Sequence, residues 1–347
     1  MVQSKIKIIR ITILLLFFFT NSFAQSYSDS LAYERLKYVQ DVKNFIAQRV
    51  WKDFENNRVT QIYFTESYSY FFTADPKVLE KVKQKTTPLK GIDMIKSERI
   101  DKNPFHMETA AEFTDSTALY YQKPIVIFSD FETAKEYVSD LQNLQKWASM
   151  VVHELFHGYQ LQHTATVKYS NQIIHLRGSQ LQKIYLEQKW FAESIKAENN
   201  LLINLLKVKS KKELQKGLVQ YISLREARQK KAESILEGFS INENFYEKIE
   251  GSAKYVELAL LENYRYFPEN EFILTNDSAY KKNAYQNFKL DEEPWQYQTE
   301  GINYFYSTGY NLIRILDKLK VDYKSNFFNT NTTPYGILKA HLKIKLP

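Results

Sequence analysis

The sequence contains no cysteine among its 347 residues. Disulfide bonds, thiolate metal ligands, a cysteine nucleophile and an acylated N-terminal cysteine are therefore excluded. Any metal ion must be held by histidine and carboxylate side chains. Stability must come from the core.

Glycine and proline are also scarce, at 9 and 8 residues. Such low numbers exclude collagenous, linker-rich and low-complexity architectures. The 44% of hydrophobic residues, including 15% aromatic ones, supply ample material for a core. We therefore expect a globular protein with one large or two modest domains.

Long apolar runs are confined to the start of the sequence. Three basic residues precede an apolar run from Ile11 to Phe19, and small residues around Ala24 suit a signal peptidase. The run is short for a permanent membrane helix. The pattern predicts a signal peptide over residues 1–24 and an exported protein, periplasmic or secreted, with no stable membrane span after cleavage. An uncleaved membrane anchor is the alternative.

The net charge gives little indication of a polyanionic partner. Removal of the three basic residues of the signal peptide lowers the formal charge from +7 to +4. No stripe of lysine and arginine interleaved with stacking aromatics is present, so no nucleic-acid partner is expected.

The hydrophobic periodicity predicts an α+β fold that is predominantly helical. Residues 25–128 form a mixed N-terminal part, and residues 129–347 form a mainly helical part. Strands are predicted over 61–72 and 118–128, and Pro124 favours an edge position for the second strand. Helices are predicted over 29–54, 129–162, 179–237, 245–262 and 301–319.

The segment His153-Glu154-Leu155-Phe156-His157 contains the residues expected to bind a metal ion and to activate water. Two imidazoles four residues apart lie on one face of a helix, as two ligands of a tetrahedral zinc must. Glu154 can accept a proton from water, whose pKa zinc lowers to about 7. Neighbouring residues are uncharged, and buried imidazoles need partners or a metal. We therefore predict one zinc ion per chain.

The position of the third ligand is open from spacing alone. His163 matches the HExxHxxGxxH spacing of metzincins, which this stretch superficially resembles, but Gln160 replaces the glycine that allows the turn. On a continuing helix His163 would lie about 120° from His157. Glu193 is a further candidate.

A second resemblance indicates a different third ligand. Residues 250–257 read EGSAKYVE and resemble the EGxAxYxE motif of gluzincins, and residues 306–309 read YSTG, similar to the YxxG helix of gluzincin aminopeptidases. The resemblance implies a zincin-like fold with a thermolysin-like catalytic core. It also implies Glu250 as the third ligand and Tyr306 as the donor to the oxyanion. Tyr310 is an alternative donor.

The sequence departs from gluzincins in two respects. Between His157 and Glu250 lie 92 residues, which leaves room for a helical insertion over about 165–240. No GxMEN segment is present, so aminopeptidase activity is not implied. The strand 118–128 could still pair with an extended peptide at its edge, as in many zinc peptidases.

Hydrolysis of peptide bonds in a peptide or protein substrate is the leading functional prediction. A zinc amidase acting on a cell-wall polymer and a binding or scaffold protein without proteolytic activity are the alternatives. Glu247 is expected to be solvated or to support a ligand. Arg225 and Arg228 are expected on a solvated face, or else at a substrate carboxylate.

Overall fold

The computed structural model describes residues 29–73, 75, 77–78, 80, 86–88, 94–112, 123–172, 176 and 178–343. The predicted signal peptide, residues 1–24, lies outside this part of the chain. The first described element is helix α1, residues 29–50, followed by a 3₁₀ turn at Lys52–Asn56. Its buried apolar residues recur at helical spacing, as in Leu36, Val39 and Val42.

The described strands form one six-stranded sheet in the order β3-β4-β2-β1-β6-β5. β1 and β6 are parallel, and the other neighbouring pairs are antiparallel. The central strands are buried and rich in aromatic and β-branched residues, which fit a pleated surface. The strands are β1 Thr60–Phe64, β2 Tyr68–Phe72, β3 Thr86–Pro88, β4 Ile95–Glu98, β5 Met107–Ala110 and β6 Ile125–Ser129.

The strand predicted over residues 118–128 is present from Ile125 onward, but the edge position that Pro124 favoured for it was wrong. The strand is Ile125–Ser129, and it pairs with β1 on one side and with β5 on the other. Pro124 precedes the strand and so removes no hydrogen bond from the ladder. Among the described strands β5, not β6, lies at this end of the sheet, and none of the predicted strands covers its four residues. Residues 118–122 lie outside the described residues.

The remainder of the described chain is mainly helical, with turns and short 3₁₀ segments over residues 277–303. Polar side chains cap several of the helices: Asp130 accepts a hydrogen bond at the start of α2 and Asn143 at the start of α3. The helices are α2 Phe131–Tyr137, α3 Leu144–Leu161, α4 Thr164–Gln172, α5 Gly178–Glu187, α6 Lys189–Lys207, α7 Lys211–Glu233, α8 Phe239–Asn263, α9 Glu271–Asn276, α10 Tyr304–Lys318 and α11 Pro334–Lys343.

The main hydrophobic core joins both parts of the chain that the sequence distinguishes. It runs from Ala32 on α1 to Leu342 on α11 and includes most of the apolar residues of α3. The fold is therefore α+β and predominantly helical, as predicted. Within the described residues no helix has the length and apolarity needed to cross a membrane.

Helices α8 and α10 approach each other more closely than side chains would allow. A Cβ atom added to Gly251 would lie 2.5 Å from the backbone of Gly309, and one added to Gly309 would lie 2.4 Å from the carbonyl oxygen of Glu247. Only glycine fits at such a crossing. The contact brings Glu250, next to Gly251, close to the first turn of α10.

Candidate metal centre

Three side chains from two helices converge on one point. His153 and His157 lie one turn apart on α3, and their Nε2 atoms are 3.1 Å apart. Glu250 reaches them from α8, with its Oε2 atom 3.2 Å from Nε2 of His157 and 3.7 Å from Nε2 of His153. The structure thus brings together the three residues that the sequence predicted as metal ligands.

Hydrogen bonds on the far side of each ring fix its tautomer. Nδ1 of His153 lies 3.1 Å from a carboxylate oxygen of Glu257, so this nitrogen carries a proton. Nδ1 of His157 lies 2.8 Å from Oε1 of Gln160. The amide nitrogen of Gln160 donates to the carbonyl of Ile249 at 2.9 Å and to Ser252 at 3.0 Å, which orients its oxygen toward His157. Both Nε2 atoms therefore face the convergence point.

This arrangement requires a positive charge at its centre. Two imidazole nitrogens and a carboxylate oxygen face one another across about 3 Å, and Oε2 of Glu250 is buried without a hydrogen bond among the described residues. Ligands bonded to a tetrahedral zinc at about 2.0–2.2 Å lie about 3.3–3.6 Å apart. The three observed separations bracket that range closely, so the residues fit a zinc ion.

The electrostatics of the three side chains also favour a positive charge at this point. Burial acts to lower the pKa of His157, but the negative charge of Glu250 raises this pKa to about 9. Burial acts to raise the pKa of Glu250, and the two histidines hold it well below its usual range. A proton held by His157 therefore takes the place of a cation when no metal is bound.

Glu257 is itself held by two lysines. Lys254 lies 2.9 Å and Lys146 3.0 Å from its Oε1 atom. Burial acts to raise the pKa of Glu257, but these two cations keep it well below its ordinary value. Glu257 thus remains ionised and can accept the Nδ1 proton of His153 at any physiological pH.

Glu154 lies beside the ligands and against the edge strand. The hydroxyl of Thr109, on β5, lies 2.7 Å from the carbonyl oxygen of Glu154 and 3.0 Å from its Oε2 atom. Burial raises the pKa of this carboxyl above its usual value, and the two histidines act against this shift. Glu154 is thereby connected to β5, the end strand of the described sheet.

Tyr306 lies over the ligands from α10. Its ring is stacked on His153 with centroids 6.0 Å apart, and Trp295 packs edge-on against it at 5.9 Å. Burial and the neighbouring Glu250 carboxylate raise the pKa of Tyr306 well above its ordinary value. The phenol therefore keeps its proton and can donate it in a hydrogen bond. Tyr310, the alternative donor, is fully buried in a cluster with Leu258 and Leu261.

The structure does not bring the other two ligand candidates to this point. Helix α3 ends at Leu161, and His163 donates from Nδ1 to the carbonyl of Tyr159 at 2.8 Å. Glu193 is exposed and lies 3.6 Å from Lys189 on the surface of α6. Of the three candidates for the third ligand, Glu250 alone faces the two histidines.

The expectation that Glu247, Arg225 and Arg228 lie on a solvated surface was wrong. All three side chains are at most 1% exposed. Arg225 pairs with Glu247 at 2.6 Å, and Arg228 pairs with Glu243 at 2.7 Å. The packing of α7 against α8 encloses these charges, and neither arginine is available to a substrate carboxylate.

The sequence patterns do not indicate Gln160, Glu257 or Thr109 as functional residues. Glu257 closes the EGxAxYxE motif, which was the one signal that could have indicated it. Gln160 and Thr109 act through contacts made only in the folded chain. Comparisons with protein-family models, with curated proteins and with solved structures found no match.

Proposed function

We propose that this chain is an exported zinc metallopeptidase with a zincin-like, gluzincin-type catalytic core. The observation that carries the proposal is the convergence of His153, His157 and Glu250 with both Nε2 atoms free to bind a cation. Glu154 adds a carboxylate at the position where a general base is needed. A site with a purely structural metal has no use for this residue.

The roles of the residues follow from their positions. His153, His157 and Glu250 would hold the zinc ion, which would supply the Lewis acidity that makes water a nucleophile at neutral pH. Glu154 accepts the proton of the attacking water and passes it to the leaving amine. Tyr306, which keeps its proton, donates a hydrogen bond to the oxyanion that develops on the substrate carbonyl.

The edge strand β5 supports a peptide as the substrate. Within the described sheet β5 pairs only with β6, so its outer side can pair with an extended chain. Thr109 ties this strand to Glu154. A peptide bound along β5 would therefore lie next to the general base.

Metal content is the first test. Elemental analysis of purified residues 25–347 should give one zinc per chain for the natural sequence and for His163→Ala, and much less for Glu250→Ala. His163→Ala is the matched control because His163 lies outside the convergence point. Absence of stoichiometric zinc from the natural sequence after zinc is supplied would contradict the proposal.

Catalysis is tested with Glu154→Gln, which keeps the size of the side chain and removes its basicity. We expect cleavage of a mixed peptide library, followed by mass spectrometry, to fall at least about 100-fold while zinc stays bound. Unchanged cleavage would remove Glu154 from the mechanism. Activity on cell-wall polymer with none on the library would indicate the amidase alternative.

A further inference from the structure

Five charged side chains that the proposed mechanism does not use form one buried cluster among the helices around α8. The exposure of each side chain is at most 2%. A charge buried in this way is costly unless it is paired and hydrogen-bonded, so each of these side chains must keep its particular partners. They are Glu198 on α6, Arg225 and Arg228 on α7, and Glu243 and Glu247 on α8.

The first of two polar connections runs through Glu247. Arg225 binds this carboxylate with both terminal nitrogens, at 2.8 and 2.6 Å. From the other side the hydroxyl of Thr308 donates to its Oε1 atom at 2.6 Å. We call this connection across α7, α8 and α10 the first rung.

The second rung lies one helical turn away and has the same form. Arg228 binds Glu243 with its terminal nitrogens at 2.7 and 3.1 Å, and the hydroxyl of Tyr304 donates to the same carboxylate at 2.8 Å. Arg228 also binds Glu198, at 2.7 and 2.9 Å, which ties α6 to the rung. The second rung therefore joins four helices.

The rungs permit one register between α8 and α10. Glu243 and Glu247 are four residues apart, as are Tyr304 and Thr308, so the pairs match only when the helices are aligned as observed. A slide by one turn would leave a buried carboxylate without its hydroxyl donor. The close contact of Gly251 with Gly309 favours the same register, because a slide would bring residues with side chains to a crossing that has no room for them.

Tyr306 depends on this register. It lies between Tyr304 and Thr308 in sequence, but its ring is turned toward α3, where it stacks on His153. A rotation or a shift of α10 on α8 therefore moves the phenol relative to Glu250 and His153. Misplacement by about 1 Å can cost about 100-fold in rate.

We propose that the two rungs are a positioning device for Tyr306. The hydroxyls of Thr308 and Tyr304 hold α10 in register on α8, and Arg225 and Arg228 orient the carboxylates that receive them. The helical segment before α8 thus contributes to the site without touching it. This inference rests on the proposed function, because it assigns Tyr306 its role there.

The test uses 3-fluorotyrosine at position 306, whose ¹⁹F resonance reports the surroundings of the ring. The variants are Thr308→Val, which keeps the shape and removes the hydroxyl, and Thr308→Ser, which restores a hydroxyl. Thr166→Val is the control, since Thr166 is equally buried and its hydroxyl donates at 3.0 Å to the remote carbonyl of Phe328. Thermal melting verifies that each variant is folded.

We expect Thr308→Val to move the resonance, and Thr308→Ser and Thr166→Val to leave it near its original position. Zinc affinity should be unchanged, because no metal ligand is altered. On a peptide substrate kcat should fall about 10- to 100-fold in Thr308→Val, with little change in KM. Should Thr308→Val not fold, Tyr304→Phe provides the same comparison on the second rung.

Two results would overturn the inference. One is an unmoved resonance in Thr308→Val; the other is an equal shift in Thr166→Val, which would indicate a general loosening. A failure of the proposed function is distinguishable, because the natural sequence would then bind no zinc and cleave no peptide. The resonance comparison is independent of both measurements.

Discussion

At the scale of single residues, the candidate centre depends as much on the partners of its ligands as on the ligands themselves. Gln160 and Glu257 each accept a hydrogen bond from Nδ1 of one histidine, so that the Nε2 atom of that ring faces the convergence point. Glu257 is ionised by its two lysines, whereas Gln160 is oriented by two hydrogen bonds to α8. Such partners set both the tautomer and the direction of a ligand.

Gln160→Leu tests this dependence. The substitution removes the acceptor for Nδ1 of His157, so that the ring can rotate or change tautomer. We expect zinc affinity, measured by competition with a chelating dye, to fall about 10- to 100-fold. Gln162→Leu is the control, since Gln162 is exposed two residues further on. Equal affinities in the two variants would contradict the assigned role of Gln160.

The pKa of His157 predicts proton release on zinc binding. In the metal-free protein this pKa is about 9, against an ordinary value of 6.5, so the ring is protonated at pH 7. Zinc must displace that proton. Calorimetry in buffers of different ionisation enthalpy should show about one proton released at pH 7, and apparent affinity should rise with pH up to about 9. A pH-independent affinity would count against this account.

The same shift affects the stability of the metal-free fold. Because the folded pKa lies above the unfolded one, the contribution of His157 is complete below pH 6.5 and is lost as the pH rises through about 9. Above that pH, and without a bound metal, no proton on His157 separates the lone pairs of the two Nε2 atoms and of the Glu250 carboxylate.

At the scale of elements, the crossing of α8 and α10 has no room for a side chain. Gly309→Ala would place a Cβ 2.4 Å from the carbonyl of Glu247, and the helices would have to separate. We expect urea denaturation to show a loss of about 3 kcal/mol in the free energy of unfolding. Gly217→Ala on α7 is the control, because its Cβ meets only the side chain of Leu205. Similar losses in both variants would exclude a specific effect at the crossing.

The elements also show what could be predicted from the sequence. Helix α3 and its two histidines follow from local spacing, and α8 and α10 lie where the apolar periodicity placed them. Strand β5 could not be predicted, because the residues META lack the β-branched run of a typical strand, and its described pairing with β6 exists only in the folded chain.

The burial of charged residues was also predicted wrongly from the sequence. On α7 the spacing of Arg225 and Arg228 is that of an ordinary polar face, and a single helix gives no sign that this face will be covered. Their partners Glu243 and Glu247 lie on another helix. Only the packing of α7 on α8 makes these four residues part of the interior.

At the scale of the whole molecule, Arg35 connects the first described helix to the C-terminal half of the chain. It binds Asp277 through two hydrogen bonds, at 2.7 and 3.0 Å, and Glu132 through two more. The Asp277 side chain is 1% exposed, so the loss of Arg35 would leave this carboxylate buried without its cationic partner.

Arg35→Leu should therefore destabilise the whole fold. Removal of one partner of a buried ion pair costs about 3–5 kcal/mol, because the other charge is left buried and unpaired. Thermal denaturation would measure the loss. Lys282→Ala, which removes an exposed pair with Glu269, is the control and should cost less than about 1 kcal/mol. A loss no greater than that of the control would show that Asp277 has other support.

The distance along the chain between the ligands has a consequence for the order of folding. His153 and His157 are in place as soon as α3 forms, but Glu250 joins them only after the 92 residues between His157 and Glu250 have folded around it. Closing so long a loop is entropically costly, and a metal ion that bridges its ends offsets part of that cost. A chain that binds zinc early in folding would thus hold the ion weakly, on two imidazoles, until α8 docks and Glu250 reaches the ion.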